Sequence, residues 1–528
     1  MSTGASKFIL AIDLGTTGPK VALVSTRGEI VDYEFEETPL VLLPNGGAEQ
    51  QPDDWWNAIC KAAQRLLAKA PVPVDDIVAV CCTSQWSGTV AVDRDGHHLV
   101  NAIIWMDSRG APYAQRIVDG LVRIEGYGIW KLLKWIRLTG GAPGRIGKDS
   151  IAHILYIKNE LPEVYGQTYK FLEPKDYINL RLTGRFAASY DSIALHWVTD
   201  NRDISNIAYD NGLLKMATLD GEKLPNLKRA MDVLGPLRRE VAAELGLSEN
   251  VQVVMGTPDV HSAAIGSGAA RDFEAHLYIG TSAWLACHVP FKKTDVIHNI
   301  AAIPSAIPMK YLVSNEQQTA GACLAFLRDN ILYHDDELAV EADRSNAYRI
   351  FDRIVERAPA GSGGLIFTPW LYGERTPVGD HAVRGGFHNL SLQATRAHLI
   401  RAVFEGVAYN ARWLLGYVEK FVGRRLDPIH MVGGGANSNV WCQIHADILG
   451  RTIRQVKDPI LVNARGAAFL ASAALGHLTF DDISERVPIA STYDPNPANR
   501  GVYDELFREF VNVYKNNRQM YARLNRKR

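Results

Sequence analysis

The chain has 528 residues, of which 47% are hydrophobic and 22% charged, an ordinary composition for a globular protein of roughly two to four domains. Its formal net charge of −1 gives no general attraction to nucleic acid or to an anionic membrane, so any phosphate must bind at a local site. The start of the sequence lacks an apolar signal core, and no apolar run approaches the ~18 residues of a membrane span. The six cysteines form no C-x-x-C pair, which favours buried free thiols over disulfides or zinc. We therefore expect a cytoplasmic protein.

The first predicted elements are strands. Residues 8–14 and 20–25 have the β-branched, apolar character of antiparallel strands, and the turn GTTGP lies between them. The segment IVDYEF predicts a third strand. The segment QPDDWWNAICKAAQRLLAKA has apolar residues at helical spacing, with Asp53 as the predicted N-cap. Residues 77–84, IVAVCCTS, predict a buried strand.

The turn of the first hairpin combines glycines, hydroxyls and a carboxylate. Glycines such as Gly15 let backbone N–H groups approach an anion closely, and Thr16 and Thr17 add hydroxyl donors. Asp13 would repel a phosphate there unless a divalent cation lay between them, and Mg²⁺ prefers carboxylate and phosphate oxygens. The pattern indicates a metal-bridged nucleotide site. The alternative is a plain glycine turn that Asp13 caps, which a lone hairpin of this kind would favour.

The same design recurs near the middle of the chain. Residues 276–289, HLYIGTSAWLACHV, again predict two strands around a glycine–hydroxyl turn, here Gly280, Thr281 and Ser282. The following predicted elements are the helix AGACLAFLRDNIL, the strand GLIFTP, a long helix from Leu392 to about Lys420, the strand IHMVGGG, the helix NSNVWCQIHADILG and the helix RGAAFLASAALG. Two halves that open alike predict a duplicated α/β fold, with a boundary near residues 266–275 and ligand in the cleft between the halves. Paired hairpins across a cleft could hold a polyphosphate from both sides.

The segment VVMGTPDVHSAAIGSG, residues 253–268, places a carboxylate at the end of a strand. Asp259 follows Gly256 and Pro258, and Gly266 allows close packing behind it. Phosphoryl transfer to an alcohol needs a group that accepts the hydroxyl proton, and Asp259 could be this general base. The alternative is that Asp259 caps a helix beginning at His261.

A third glycine turn follows the predicted strand IHMV. Gly433–Gly435 lie between a strand and a helix, which leaves room for a flat ring or a phosphate against the backbone. The spacing is not G-x-G-x-x-G, so a dinucleotide is disfavoured, and contact with adenine or ribose is the functional hypothesis. A tight turn without ligand is the alternative.

Two loop segments, TSQWSG and WMDSRG, bring polar and aromatic side chains together. Gln85, Trp86, Trp105, Asp107 and Arg109 offer ring faces for the C–H surface of a polyol and partners for its hydroxyls. Alternatively, both tryptophans are core anchors and Asp107 pairs with Arg109.

These motifs, in this order, resemble those of the FGGY carbohydrate kinases, over roughly residues 8–476. AIDLGTTGPKVALV is similar to the first phosphate motif of the family and YIGTSAW to the second. GTPDVHSAAIG is similar to the segment that carries the catalytic aspartate, and GGGANSNVWCQIHADILGR to the adenosine motif. The stretch from Ile366 to Arg412 resembles the C-terminal family signature. The resemblance implies a duplicated actin/hexokinase-like (ribonuclease H-like) ATPase fold with two domains around a central cleft. Residues 1–268 would bind the sugar and carry the catalytic Asp, and residues 269–528 would bind ATP.

The resemblance also implies roles for individual residues. Asp259 would be the catalytic base, and Asp13, with Asp259, would hold Mg²⁺ partly through water. The residues that would contact ATP are Gly15, Thr16, Thr17, Lys20, Gly280, Thr281, Ser282, Gly321, Gly434, Gly435, Ala436 and Asn439. The residues that would contact the substrate are Gln85, Trp86, Trp105, Asp107, Asp259 and His261. A homodimer is the expected assembly.

The resemblance leaves the sugar open. Gln85-Trp86-Ser87 stands where xylulokinases have Gln-Met-His, and the Asp-x-His order of Asp259 and His261 is closer to ribulokinases. We expect ATP-dependent phosphorylation of a ketose, most simply a pentulose, or of a polyol. The alternatives are a tetrulose, a tetritol or gluconate as acceptor, a simple ATP hydrolase, or a sugar-sensing regulator without catalysis.

Overall fold

The computed structural model describes residues 7–332 and 347–525. Two sheets dominate it. The strands of the first sheet are β1 (Phe8–Gly15), β2 (Gly18–Ser25), β3 (Ile30–Phe35), β4 (Ile77–Ser84), β5 (Val233–Pro236) and β6 (Gln252–Pro258). The strands of the second are β7 (Ala275–Ile279), β8 (Ala283–Val289), β9 (Thr294–Asp295), β10 (Ile300–Pro304), β11 (Tyr311–Ser314), β12 (Ile429–Val432), β13 (Ile453–Val456) and β14 (Ile489–Tyr493).

Sixteen α-helices and several short strands complete the described residues. The helices are α1 (Pro52–Ala68), α2 (Ala111–Val118), α3 (Ile129–Thr139), α4 (Ser150–Glu160), α5 (Pro162–Gln167), α6 (Pro174–Thr183), α7 (Asn211–Ala217), α8 (Arg239–Leu245), α9 (Asp259–Gly266), α10 (Gly321–Leu327), α11 (Ala347–Arg357), α12 (Arg396–Val422), α13 (Asn439–Leu449), α14 (Val462–Ala474), α15 (Phe480–Arg486) and α16 (Arg500–Leu524). The short strands are Val41–Leu42, Ala48–Gln50, Val90–Val92, Ala102–Ile103, Arg123–Ile124, Tyr127–Gly128, Lys170–Leu172, Ala187–Ser189, Thr199–Asp200, Ala208–Tyr209, Asn226–Lys228, Ile366–Thr368 and Gly386–His388.

The two sheets have the same core topology. The order of the first is β5-β6-β4-β1-β2-β3, and that of the second is β9-β10-β11-β8-β7-β12-β13-β14. In each, an antiparallel three-stranded meander leads into two parallel strands, β3-β2-β1-β4-β6 in one and β11-β8-β7-β12-β13 in the other. The predicted duplication is confirmed, and it places β1 and β7 at equivalent central positions.

The first sheet is covered by helices on both faces, and its side chains alternate accordingly. Leu10, Ile12 and Leu14 face a core shared with α1, α6 and α8. Ile9 and Ala11 face the opposite way, onto α14 from the other half of the chain. The α14 face consists of alanines, Ala464, Ala467, Ala468 and Ala471. These small side chains let the helix approach the sheet closely.

The packing is reciprocal, because α9 from the first half joins the core on the second sheet. Ala263, Ala264 and Ile265 of α9 lie in one cluster with Val432 and Val456. Helices α9 and α14 also contact each other. A Cβ added at Gly466 would overlap the backbone carbonyl of Ser262, so no larger residue fits at this crossing. The expected tight packing at Gly266 is confirmed, since a Cβ there would overlap the Val462 carbonyl.

Several predicted helix starts were wrong. Helix α1 is capped by Gln51 with Pro52 at its first position, so Asp53 lies in the first turn and pairs with Arg181 at 2.9 Å. The long helix begins at Arg396 rather than Leu392, because Thr395 and His398 form a capping box. The helix predicted from Arg465 begins at Val462, directly after a 3₁₀ turn at Pro459–Leu461. The helix predicted to begin at His261 begins at Asp259. The segment predicted as one helix after Ala320 is α10 followed by a π-helical turn, Arg328–Leu332.

The cysteines behave as predicted. All six are free and buried, and burial raises the pKa of the Cys81 thiol to about 12. Separately, none of the described helices is long and apolar enough to cross a membrane.

Candidate active site

The first hairpin places a buried carboxylate beside the glycine turn. Asp13 is 2% exposed, and its Oδ2 lies 3.2 Å from Lys20 Nζ on the paired strand. Its other oxygen, Oδ1, accepts a hydrogen bond of 3.4 Å from Asn463 Nδ2 on α14. Gly15 pairs with Gly18, so the turn contains only Thr16 and Thr17. Asp13 therefore lies where the two halves of the chain meet, and its partners Lys20 and Asn463 come one from each half.

Asp259 stands at the start of α9, where β6 ends. Strand β6 pairs in parallel with β4 and β4 with β1, so the carboxyl ends of β1 and β6 lie at the same sheet edge on either side of β4. Gly256 makes this path possible, because its φ is +75° and a Cβ there would overlap the Cys82 carbonyl. The N-cap residue of α9 is Pro258, and Asp259 is the first residue of the helix. The alternative that Asp259 caps a helix beginning at His261 was therefore wrong. The Asp259 side chain accepts the neighbouring N–H of Val260, at 2.8 Å.

The environment of Asp259 suits a base that works near neutral pH. Burial, followed by the nearby Asp13 carboxylate, raises the pKa of Asp259 to about 7. Both effects disfavour the charged carboxylate, and the second means that the two acids lie close together. A strongly shifted carboxyl at a strand end is a feature of functional sites.

The second hairpin lies beside the third glycine turn. Strands β7 and β12 pair in parallel, so Gly280 at the end of β7 neighbours Gly433 at the end of β12. Gly321 begins α10 and donates its N–H to the Gly280 carbonyl at 2.8 Å. The Thr281 side chain is exposed. The structure thus brings together the predicted second phosphate turn, Gly321 and the predicted adenosine turn.

The third turn offers open space at one residue. Nothing lies within 4 Å of a Cβ added at Gly434, whereas one at Gly435 would overlap Ile279. Asn439 is exposed and accepts a 3.0 Å hydrogen bond from Gln455 Nε2, which also bonds the Ala436 carbonyl. These residues form a surface beside the second hairpin, as the sequence predicts.

Thr16, in the first hairpin turn, is hydrogen-bonded to side chains of other loops and strands. Its hydroxyl donates to Gln85 Oε1 at 3.0 Å and accepts from Trp105 Nε1 at 3.0 Å. Its carbonyl accepts from Gln50 Nε2 at 2.9 Å, and Gln50 Oε1 accepts from Gln85 at 2.8 Å. The first phosphate turn is therefore hydrogen-bonded to the predicted sugar-binding side chains. Gln50 was missed by the sequence analysis.

Other predicted substrate residues are occupied by structural contacts. Asp107 is 1% exposed, lies 2.7 Å from Arg109 Nη2 and accepts the Ala48 N–H at 2.9 Å. This is the ion pair named as the alternative. Trp86 is 9% exposed and donates to the Ser192 carbonyl. Its ring meets that of the buried His261 edge-on, with centroids 5.2 Å apart. Both rings thus help form the wall of the site beside Asp259.

Several cleft residues carry no motif and were missed. Lys148 Nζ lies 5.7 Å from the centre of the Trp105 ring and 5.1 Å from that of Tyr372, which belongs to the other half of the chain. Arg375 pairs with Glu316 at 2.6 Å. The clustering of charged and aromatic residues around GERTP could have indicated Tyr372 and Arg375, whereas no local pattern indicates Lys148.

Comparisons with known proteins identify the class. The N-terminal domain of the FGGY family of carbohydrate kinases matches residues 8–266, and the C-terminal domain of the same family matches residues 276–475. The chain belongs to this family and is a carbohydrate kinase.

Individual relatives span almost the whole chain. It is similar to the xylulose kinase of Bacillus subtilis, with 27% identity over 98% of this chain and 99% of the relative. It is also similar to the gluconokinase of the same organism, with 26% identity over 98% of both chains. Among solved structures, a gluconate kinase from Lactobacillus acidophilus superposes with a TM-score of 0.85 and 26% identity. The match covers 99% of this chain and 100% of that structure. A ligand-bound xylulose kinase from the same species superposes with a TM-score of 0.84 and 25% identity. The match covers 98% of this chain and 100% of that structure. The duplicated two-domain fold predicted from the sequence is thereby confirmed.

Proposed function

We propose that this carbohydrate kinase transfers the γ-phosphoryl group of ATP to a hydroxyl of a ketose, with a pentulose as the preferred acceptor. The observation that carries the proposal is Asp259, which lies at a strand end close to Asp13 and has a pKa of about 7. Relatives named xylulose kinase over nearly the full chain support the choice of pentulose.

Asp259 acts as the general base in this proposal. Its carboxylate accepts the proton of the acceptor hydroxyl as the oxygen attacks the γ-phosphorus, and the bond to the ADP oxygen breaks. Gln85 and Trp105 lie beside the phosphate turn and position the acceptor. Trp86 and His261 shape the wall of the pocket. Asp107 acts indirectly, by fixing Arg109.

The phosphates of ATP are proposed to bind between the two hairpins. The first offers Gly15, Thr17 and Lys20, with Thr16 acting mainly through its backbone. The second offers Gly280, Thr281 and Ser282, next to Gly321. Backbone N–H groups at glycine turns hold phosphate oxygens well, because no Cβ blocks the approach. Adenosine would lie along Gly434, Gly435, Ala436 and Asn439.

The residues at the sheet edge fit a magnesium ion. Two carboxylates, Asp13 and Asp259, lie close enough to raise the pKa of Asp259. Mg²⁺ prefers such hard oxygen ligands and usually keeps several waters. We propose that both carboxylates hold it, partly through water. When bound, the ion supplies positive charge that offsets the negative charge of the phosphate oxygens.

Four further features belong to the proposal. The boundary between sugar-binding and ATP-binding regions lies near residues 268 and 269, which the two family matches support. Closing of the cleft excludes water, so the sugar hydroxyl receives the phosphoryl group. The protein acts in the cytoplasm, as its free thiols suggest, and assembles as a homodimer.

A radiolabel assay tests the function. The protein is incubated with Mg²⁺ and γ-³²P-ATP across pentuloses, tetruloses, hexuloses, their polyols and gluconate. Label should enter an organic phosphate with a pentulose. The Asp259→Asn variant should bind ATP normally, yet turn over about 100-fold slower or worse, the usual scale for loss of a general base. Label released only as inorganic phosphate would show a simple hydrolase. Sugar binding without ADP release would show a sensor.

A further inference from the structure

A cavity of about 340 Å³ opens between the two halves of the chain and is lined by cations without acids. We call it the cationic cavity. Its lining residues are Ser108, Ala111, Gln115, Arg145, Ile146, Lys148, Gln318, Tyr372, His381 and Arg384. None of them is Asp or Glu. Because the lining comes from both halves, a ligand here would contact both.

The three permanent cations of the cavity have no acidic partner. Across residues 7–332 and 347–525, no carboxylate lies within salt-bridge distance of Arg145, Lys148 or Arg384. Arg145 donates to the Glu125 carbonyl, and its buried Nε has no hydrogen-bond partner. Arg384 donates to the His381 and Val383 carbonyls. These contacts satisfy N–H groups but neutralise no charge.

Lys148 is held in place by aromatic rings. Its ammonium lies between Trp105 and Tyr372, which fixes its position without an anion. Burial lowers the pKa of Lys148. The Glu316 carboxylate partly offsets this decrease in the pKa of Lys148, but Glu316 is paired with Arg375. The positive charge around the cavity also acts on His381. Burial, followed by the charges of Arg375 and Lys148, lowers the pKa of His381.

The cationic cavity adjoins the active site. Trp105, which contacts Lys148, donates its indole N–H to Thr16 in the first phosphate turn. Glu316 acts on the pKa values of both Asp259 and Lys148. Trp105 therefore links the cavity to the first hairpin turn, which lies at the same sheet edge as Asp259.

We propose that, beyond the neutral pentulose, the protein also accepts a small anionic carbohydrate, whose anionic group binds in the cationic cavity while its far hydroxyl faces Asp259. The anion is either the carboxylate of a sugar acid or the phosphate of a phosphorylated sugar. Arg145 and Arg384 supply charge from the two halves, and Lys148 supplies it between the rings. The inference rests on the proposed function, because it places the hydroxyl at Asp259.

Competition experiments on the full-length protein test the site. Inhibition constants are measured for gluconate, its neutral analogue glucitol and inorganic phosphate against the best neutral acceptor. Gluconate or phosphate should inhibit at least tenfold better than glucitol. Lys148→Met and Arg384→Met should each remove this preference, whereas Lys148→Arg should retain most of it. Lys61→Met is the matched control, since Lys61 is an exposed lysine that does not line the cavity.

The two anion sources give different results. Inhibition by gluconate alone indicates a carboxylate. Inhibition by inorganic phosphate indicates a phosphate ester when it is lost in Lys148→Met and Arg384→Met, because binding at the hairpin turns would survive these substitutions. Equal inhibition by gluconate and glucitol in the wild-type protein would overturn the proposal. So would a preference for anions that survives in Lys148→Met and Arg384→Met, with folding checked by thermal unfolding. Calorimetric titration with gluconate and with phosphate reports anion binding even if no acceptor is phosphorylated, so failure of the kinase proposal remains distinguishable.

Discussion

The two hairpins have the same strand–turn–strand arrangement, but they differ in the residue two positions before the glycine that opens the turn. The first reads Asp13-Leu14-Gly15-Thr16-Thr17, and the second reads Tyr278-Ile279-Gly280-Thr281-Ser282. Asp13 thus has Tyr278 as its counterpart. Tyr278 stacks on Trp284, with ring centres 3.9 Å apart, whereas Asp13 is buried among Lys20 and Asn463. The duplicated fold thus has two glycine–hydroxyl turns, and of these two positions only the first carries a carboxylate.

The hydroxyls of the turns differ in the same way. That of Thr16 is bonded to Gln85 and Trp105, whereas the Thr281 side chain is exposed. The first turn is therefore held by side chains of other loops, whereas Thr281 of the second turn is exposed to solvent. Equivalent positions in a repeat can thus have different functions.

The largest expected effect separates the counterparts Asp13 and Tyr278. Asp13→Asn should lower kcat by about 100-fold, because it removes a carboxylate that we propose holds Mg²⁺ beside the transferring phosphate. Tyr278→Phe keeps the stacked ring and should stay within about threefold of the wild type. Steady-state kinetics at saturating Mg-ATP measures both. Similar losses in the two variants would contradict the assigned difference.

The next effect concerns the stability of the helix crossing between the halves. Gly466→Ala should lower the free energy of unfolding by roughly 1–3 kcal/mol, since the added methyl overlaps the Ser262 carbonyl. Gly416→Ala, at an exposed position of α12 with open space around it, should instead add about 0.5–1 kcal/mol. Urea unfolding compares them. A neutral Gly466→Ala would show that the crossing is loosely packed.

A smaller effect is a pH dependence. Only ionised Asp259 can accept a proton, and its pKa is about 7. The value of kcat/KM should therefore fall about tenfold per pH unit below that point and level off above it. Asp13→Asn removes the like charge that raises this pKa, so the acid limb should move to lower pH. The pH profile of the residual activity checks this, and an unmoved acid limb would show that Asp13 is not the cause.

The smallest effect distinguishes the two threonines. Thr16→Val removes the hydrogen bonds to Gln85 and Trp105, and KM for the sugar should rise about three- to tenfold, the value of about one hydrogen bond. Thr281→Ala should raise KM for ATP instead, by a similar factor. Initial rates with each substrate varied separately give both constants. A change in the same constant in both variants would contradict the division between the hairpins.

Much of this architecture follows from local sequence. Alternating apolar residues predicted the two hairpins, and the three glycine turns lie at strand ends as expected. Helix starts were less predictable, because a cap such as Thr395 with His398 depends on a side-chain pair rather than on apolar spacing. The packing of α14 onto the first sheet joins residues more than 400 positions apart, and no local pattern encodes it. Lys148 was missed for the same reason, since its two rings come from different halves.

The exchange of helices between the sheets has a consequence for fragments of the gene. A polypeptide ending near residue 268 would lack the alanine face of α14 and leave Ile9, Ala11, Ala22 and Val24 open to water. The complementary fragment would lack α9 and expose Val432 and Val456. Neither piece has a complete core, so the two should be unstable or aggregate when produced singly and should recover a native assembly when produced together.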